Sequence, residues 1–132
     1  MKDRYSFVAV FEYADDGISI SFPDLPGCLS CADSEEEGVR MAEDALGLYL
    51  FGMEEDGEEI PAPTRIQDIR LETNQVPVLI SVYMPLARAA VKPVTVKKTL
   101  TIPNWLNIKA EQAGINFSQT LQNALKQQLN IK

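Results

Sequence analysis

At 132 residues the chain suits one ordinary domain or a small domain with an appendage, and 45% hydrophobic content supports a packed core and excludes global disorder. Its net charge of −7 is unevenly placed: from Val91 onward six lysines face Glu111 alone, so that part carries +5 and the part before it −12. The acidic part should be repelled by DNA and attracted to a basic protein, and only the basic tail has the sign that DNA binding needs.

Taken in order, residues 5–13 open the chain with a near-continuous apolar run, Phe7 to Phe11, which predicts a strand buried on both faces. Asp15-Asp16-Gly17 is a hairpin turn signal, and Ile18, Ile20 and Phe22 alternate with serines in a second strand. Two prolines and a glycine in Phe22-Pro23-Asp24-Leu25-Pro26-Gly27-Cys28 predict a tight, pre-ordered loop before a short third strand over 28–32. Taken alone, that loop is a rigid connector. Ser34 begins a helix, with Glu37 completing a capping box and Glu35 and Glu36 favourable against the helix dipole. Val39, Ala42, Leu46, Tyr49, Leu50 and Met53 form its packing face, and Gly57 within the acidic run 54–59 ends it. Residues 60–64 are an extended connector. A last strand is expected over 78–84, after Pro77, with Pro85 as its stop and 86–93 as a hinge.

In the tail, residues 97–102 read with period two: Lys97, Thr99 and Thr101 on one face, Leu100 and Ile102 on the other. A solvated edge strand has the same parity. Next along the chain come Pro103, suited to a first helical turn, a helix over 104–113, Gly114 as a left-handed closing residue, and a second helix capped by Asn116 or Ser118. Leu121, Ala124, Leu125 and Leu129 stripe that helix. About forty residues is near the lower limit for a core, and a lone strand leaves its backbone unpaired. Two copies solve both problems by pairing their strands into an antiparallel ribbon under four helices, and such a ribbon fits the major groove of B-DNA.

Residues 96–129 thus resemble a ribbon-helix-helix DNA-binding domain, with Gly114-Ile115-Asn116-Phe117-Ser118-Gln119-Thr120-Leu121 as its inter-helix turn and second helix. The resemblance implies that Lys97, Thr99 and Thr101 read bases. It also implies that Asn116 and Ser118 stand at a helix N-terminus that holds a phosphate. Further upstream, Phe22-Pro23-Asp24-Leu25-Pro26-Gly27-Cys28, the helix opening after Ala32-Asp33-Ser34, and Ile60-Pro61-Ala62-Pro63 resemble the HicB antitoxin family. That resemblance covers nearly the whole chain. It implies an α+β fold: an N-terminal antiparallel sheet with one long helix, in the order β-β-β-α-β of a shortened ribonuclease H-like domain, followed by the ribbon-helix-helix. The domains are expected at 1–86 and 94–132, with a linker at 87–93.

The same resemblance implies an antitoxin, not an enzyme, that occludes a small basic HicA-like toxin able to cleave messenger RNA. It implies too a homodimer through the C-terminal domain that binds operator DNA and represses its own operon. Whether dimers assemble further is left open. The expected toxin contact is the 22–28 loop together with the adjoining strand, through Phe22, Leu25 and Cys28, with Asp24 as its polar anchor, a choice that spacing does not dictate. No cofactor or metal is expected, and no export or membrane segment is visible, so a cytoplasmic protein is expected. The chain has no histidine, which removes imidazole base catalysis and Ser-His or Cys-His nucleophile pairs. Cys28 and Cys31 have C-x-x-C spacing, but on a strand they face opposite sides, with no third ligand to complete a tetrahedral site. The alternatives are a ligand-sensing repressor without a toxin partner and a metal-dependent nuclease. The nuclease would need converging carboxylates, whereas these acids lie in turns and solvated runs.

Overall fold

A computed structural model describes residues 2–131, which divide into two compact units with the boundary between Thr95 and Val96. The first holds strands β1 (Arg4–Ala14), β2 (Gly17–Ser21), β3 (Leu29–Ala32) and β4 (Gln75–Tyr83), with helices α1 (Glu35–Glu55) and α2 (Met84–Val91). The sheet order is β3-β2-β1-β4, every neighbouring pair antiparallel. The β1–β2 hairpin closes at Ala14 opposite Gly17, whose φ of +140° suits a residue without a Cβ. Alternation then decides the faces. Phe7, Ala9 and Phe11 of β1, with Ile20 of β2 and Ile80 of β4, join Ala42, Leu46 and Leu50 of α1 in one core. Each large side chain fully buried there is worth about 1.5–3 kcal/mol. Val8 and Val10 point the other way and are also buried, so β1 is covered on both faces as its apolar run predicts.

Ser34 caps α1, its Oγ accepting the Glu37 N–H at 3.2 Å, and Glu35, Glu36 and Glu37 fill the first turn. Val39, expected on the packing face, is 39% exposed. Gly38 takes its place because a Cβ there would stand 2.8 Å from Phe11 Cε2, so only a bare backbone lets the helix approach the ring. The helix ends as expected at left-handed Gly57, with the Glu58 N–H donating to the Met53 carbonyl and that of Gly57 to Glu54.

Two expectations need correction here. The last strand begins at Gln75 and runs through Pro77 instead of starting after it. Tyr13 N–H donates to the Asn74 carbonyl and Met84 N–H to the Asp3 carbonyl, so even-numbered positions of β4 bond to β1. Pro77 therefore faces outward on an edge strand, where its missing N–H leaves no gap in the ladder. The segment expected as the linker 87–93 is mostly α2: Pro85 opens a helix in its first turn, and the alanines after it favour propagation. Met84, the first residue of α2, is fully buried, and Arg88 holds Glu54 with two hydrogen bonds of 3.0 and 2.8 Å. The long helix of the body thus has a second helix packed against it.

In the second unit, α3 (Asn104–Gln112) and α4 (Phe117–Gln128) are joined through Gly114 at φ +70°, the expected left-handed closure. Residues 93–103 belong to no helix or strand. The strand expected over 97–102 does not form within one chain, for no neighbouring strand supplies its hydrogen bonds. Among the described residues no helix is long and apolar enough to cross a membrane.

Candidate functional site

The 22–28 loop, expected to present Phe22, Leu25 and Cys28 outward, turns all three inward. They are 2%, 1% and 2% exposed. Two successive turns cause this, with Leu25 N–H donating to the Phe22 carbonyl at 2.9 Å and Cys28 N–H to that of Leu25 at 3.0 Å. The turns bring every third residue beneath the loop, over the end of the apolar face of the sheet. The Cys28 thiol, pushed up to about 11 by burial, donates to the Ala45 carbonyl at 3.6 Å and is a packing group. Cys31 lies exposed on β3, so the C-x-x-C pair is split between interior and surface.

Asp24 is partly exposed but engaged. One carboxylate oxygen accepts the Thr64 N–H at 2.8 Å and the other accepts the Thr64 hydroxyl at 2.6 Å. Tyr49 from α1 donates its hydroxyl to the Pro26 carbonyl at 2.7 Å. The loop is therefore strapped to α1 on one side and to the 60–64 connector on the other, and it offers a partner only its turned-out atoms at Pro23, Pro26 and Gly27.

Around this scaffold the acidic side chains stay at the surface. Glu35, Glu36, Glu43, Asp44, Glu58 and Glu59 are all exposed. Glu54 is the exception: its side chain is only 8% exposed, and the hydrogen bonds from Arg88 hold its carboxyl below the usual range against the opposing effect of burial. Among the described residues no group of three or more Cys, Asp or Glu side chains is placed to hold a metal ion. The body thus offers a negative field on a rigid frame, suited to a positively charged macromolecule.

In the tail, Lys97, Thr99 and Thr101 are all exposed in the segment without secondary structure. Asn116 is the cap of α4, its Oδ1 accepting the Gln119 N–H at 3.0 Å. Ser118 lies inside the first turn, with Oγ accepting from Gln122 Nε2 at 3.2 Å. Of the two possible caps the structure therefore selects Asn116. Apolar side chains around these positions are open as well: Leu100 is 63%, Trp105 62% and Leu129 66% exposed. Sequence reasoning missed α2 and the free edge of β4, although Pro85 with Ala87, Ala89 and Ala90 after it was a usable helix signal.

Comparison with known proteins agrees with this architecture. Residues 7–126 match the family described as HicB-like antitoxin of bacterial toxin–antitoxin systems. Over 64 residues the chain is 36% identical to Antitoxin HicB 2 of Photorhabdus laumondii, an alignment covering 48% of this chain and 46% of that one. The chain spans less than half the length of the curated relatives it matches. Among solved structures it resembles a toxin–antitoxin complex from Streptococcus pneumoniae, with TM-score 0.60 and 24% identity over 95% of this chain and 99% of that one. It also resembles the Burkholderia pseudomallei antitoxin HicB, with TM-score 0.55 and 16% identity over 92% and 96%. At those identities the two structures speak for the fold alone.

Proposed function

The chain belongs to the HicB-like antitoxin family of bacterial toxin–antitoxin systems, and from that premise we propose that it binds and silences a small basic toxin of the HicA kind that cleaves messenger RNA. We propose further that its tail binds operator DNA and represses its own operon. The observation that carries the reading is the division of charge between the two compact units, −11 over residues 1–95 and +4 over residues 96–132. An acidic body draws a basic toxin quickly and masks the surface with which that toxin holds RNA. No catalytic group of its own is required for that. The body is read as the shortened ribonuclease H-like domain of the family, acting in the cytoplasm as a binding module.

The tail is read as one half of a ribbon-helix-helix. In a homodimer, two 97–102 segments supply each other's missing backbone partners, and Leu100, Ile102, Trp105 and Phe117, all exposed in the single chain, are covered. The ribbon then turns Lys97, Thr99 and Thr101 toward the major groove. The first backbone N–H groups of α4, beside Asn116 and at Ser118, face a phosphate.

The test is co-purification with the small basic protein encoded beside this chain, with RNA cleavage by that protein measured alone and in complex. Silencing in a stable complex supports the reading, and failure to form a complex refutes it. Lys97→Glu is expected to abolish operator binding in a gel-shift assay and to leave toxin silencing intact. Simultaneous loss of both would refute the assignment of separate tasks to the two units.

A further inference from the structure

Strand β4 lies at the edge of the sheet, and its odd-numbered positions point their backbone groups away from β1. Gln75 N–H is taken by the Glu72 carbonyl and Pro77 has no N–H to give. Those of Leu79, Ser81 and Tyr83 make no backbone hydrogen bond among the described residues. The strand Gln75–Tyr83 contains no charged residue, and Val76, Leu79 and Tyr83 are 44%, 59% and 40% exposed. Natural sheets usually protect such an edge with lysine, a bulge or a covering element; from Leu79 to Tyr83 the strand carries no lysine and keeps an unbroken register with β1.

Beside that edge, on the side of α1, runs an open groove of about 690 Å³. Its floor is Val82 with Gly47 and Ala87, close-packed because a Cβ on Gly47 would come within 3.1 Å of Ala87 Cβ and 3.3 Å of Val82 Cγ2. Leu48 and Leu86, 62% and 70% exposed, form its apolar walls. Its charged lining is Glu43, Asp44 and Arg4; the two acids are exposed and in no ion pair among the described residues, and the Arg4 guanidinium is occupied 4.6 Å over the Tyr83 ring. A strand added antiparallel to β4 would set alternate side chains over this groove.

We infer that the free edge of β4 and the adjoining groove form a strand-docking site for an extended segment of a basic protein, one that alternates apolar residues with lysine or arginine. This rests on the antitoxin reading and locates the toxin contact on β4 in place of the inward-turned loop. Backbone groups of Leu79, Ser81 and Tyr83 supply the ladder, Leu48 and Leu86 receive the apolar side chains, and Glu43 and Asp44 receive the basic ones. The occupant is a basic partner and not a second copy of this body, because two copies of the acidic unit would bring like charge to the same edge.

The test uses the full-length chain and the small basic protein encoded beside it. Leu79→Pro removes an outward N–H and fills its place with a ring while sparing every bond to β1; Leu79→Ala trims the side chain and keeps the N–H. Affinity is expected to fall by about a hundredfold or more in L79P and to stay within about threefold in L79A, as backbone-read recognition requires. Amide exchange on the wild-type pair provides a second readout independent of any variant: the Leu79, Ser81 and Tyr83 amides should become protected on binding. Wild-type affinity in L79P, or unprotected amides in the complex, overturns the docking site and leaves the antitoxin reading standing. Protection that rises with the concentration of the free chain alone overturns it in favour of self-association. If the wild-type chain does not bind the basic protein, both readings fall together.

Discussion

Gly38 gives the sharpest test of how α1 sits on the sheet. A Cβ added there would lie 2.8 Å from Phe11 Cε2 and 3.3 Å from Cζ, whereas a comfortable carbon contact is about 3.5 Å or more. Phe11 is 1% exposed and cannot swing into solvent, so the helix must lift or the ring must leave its rotamer. Overpacking of this kind costs about 1–3 kcal/mol, and glycine-to-alanine in a helix returns about 1 kcal/mol. Gly38→Ala should therefore be destabilising by up to about 2 kcal/mol, the opposite sign to an unobstructed helical site. Gly52, in the same helix, has no atom within 4 Å of its added Cβ. Gly52→Ala should accordingly stabilise by about 0.5–1 kcal/mol. Urea unfolding followed by far-ultraviolet circular dichroism, at equal protein concentration, compares the three chains. A Gly38→Ala chain stabilised as much as Gly52→Ala, or a Gly52→Ala chain less stable than wild type, would refute this account of the helix–sheet contact.

Three further outcomes are expected. Because Arg88 lowers the folded-state value of Glu54, that carboxylate contributes stability above its ordinary value of 4.5 and loses it as the pH falls through the folded value. Between about pH 5 and pH 3 the urea midpoint should therefore drop more steeply in wild type than in Glu54→Gln, and equal slopes would remove the pair from the acid response. Iodoacetamide at mildly alkaline pH should label Cys31 alone in the native chain, since Cys28 is buried and pushed up to about 11, and both cysteines in urea, as peptide mass mapping would show. Asp24→Ala removes both acceptors of Thr64 and should cost about 2 kcal/mol, while proteolysis within 60–64 becomes faster; unchanged cleavage would mean that the strap is not needed to hold the connector.

Elements specified by neighbouring residues were legible in the sequence. Ser34 before three glutamates, Gly57 after α1, Gly114 between α3 and α4, and the hairpin at Gly17 act through contacts a few residues away, and each stands where its local chemistry puts it. Residues with two permitted roles misled. Pro85 ends a strand and also opens a helix, and only the buried Met84 and the distant Glu54 decide between them. Pro77 argues against a central strand yet is harmless at an edge, and which strand becomes the edge depends on partners more than sixty residues away. The inward turn of Phe22, Leu25 and Cys28 has the same origin. A proline-rich loop looks like surface until the apolar face it must cover is known. The 97–102 strand lies beyond any single chain, since its parity is readable but its partner is not.

The strand order also dictates when the body can fold. β1 meets β2 across a tight turn, but its other flank pairs with β4, so that Tyr5 waits for Val82 and Phe7 for Ile80. Loop closure over that distance is slow, and during synthesis the hairpin and α1 emerge long before the strand that completes them. Until then the newborn chain exposes the most apolar strand it has along an open side. A chain cut after Asn74 is expected to remain protease-sensitive, and the interval before Tyr83 leaves the ribosome is when degradation competes best with assembly.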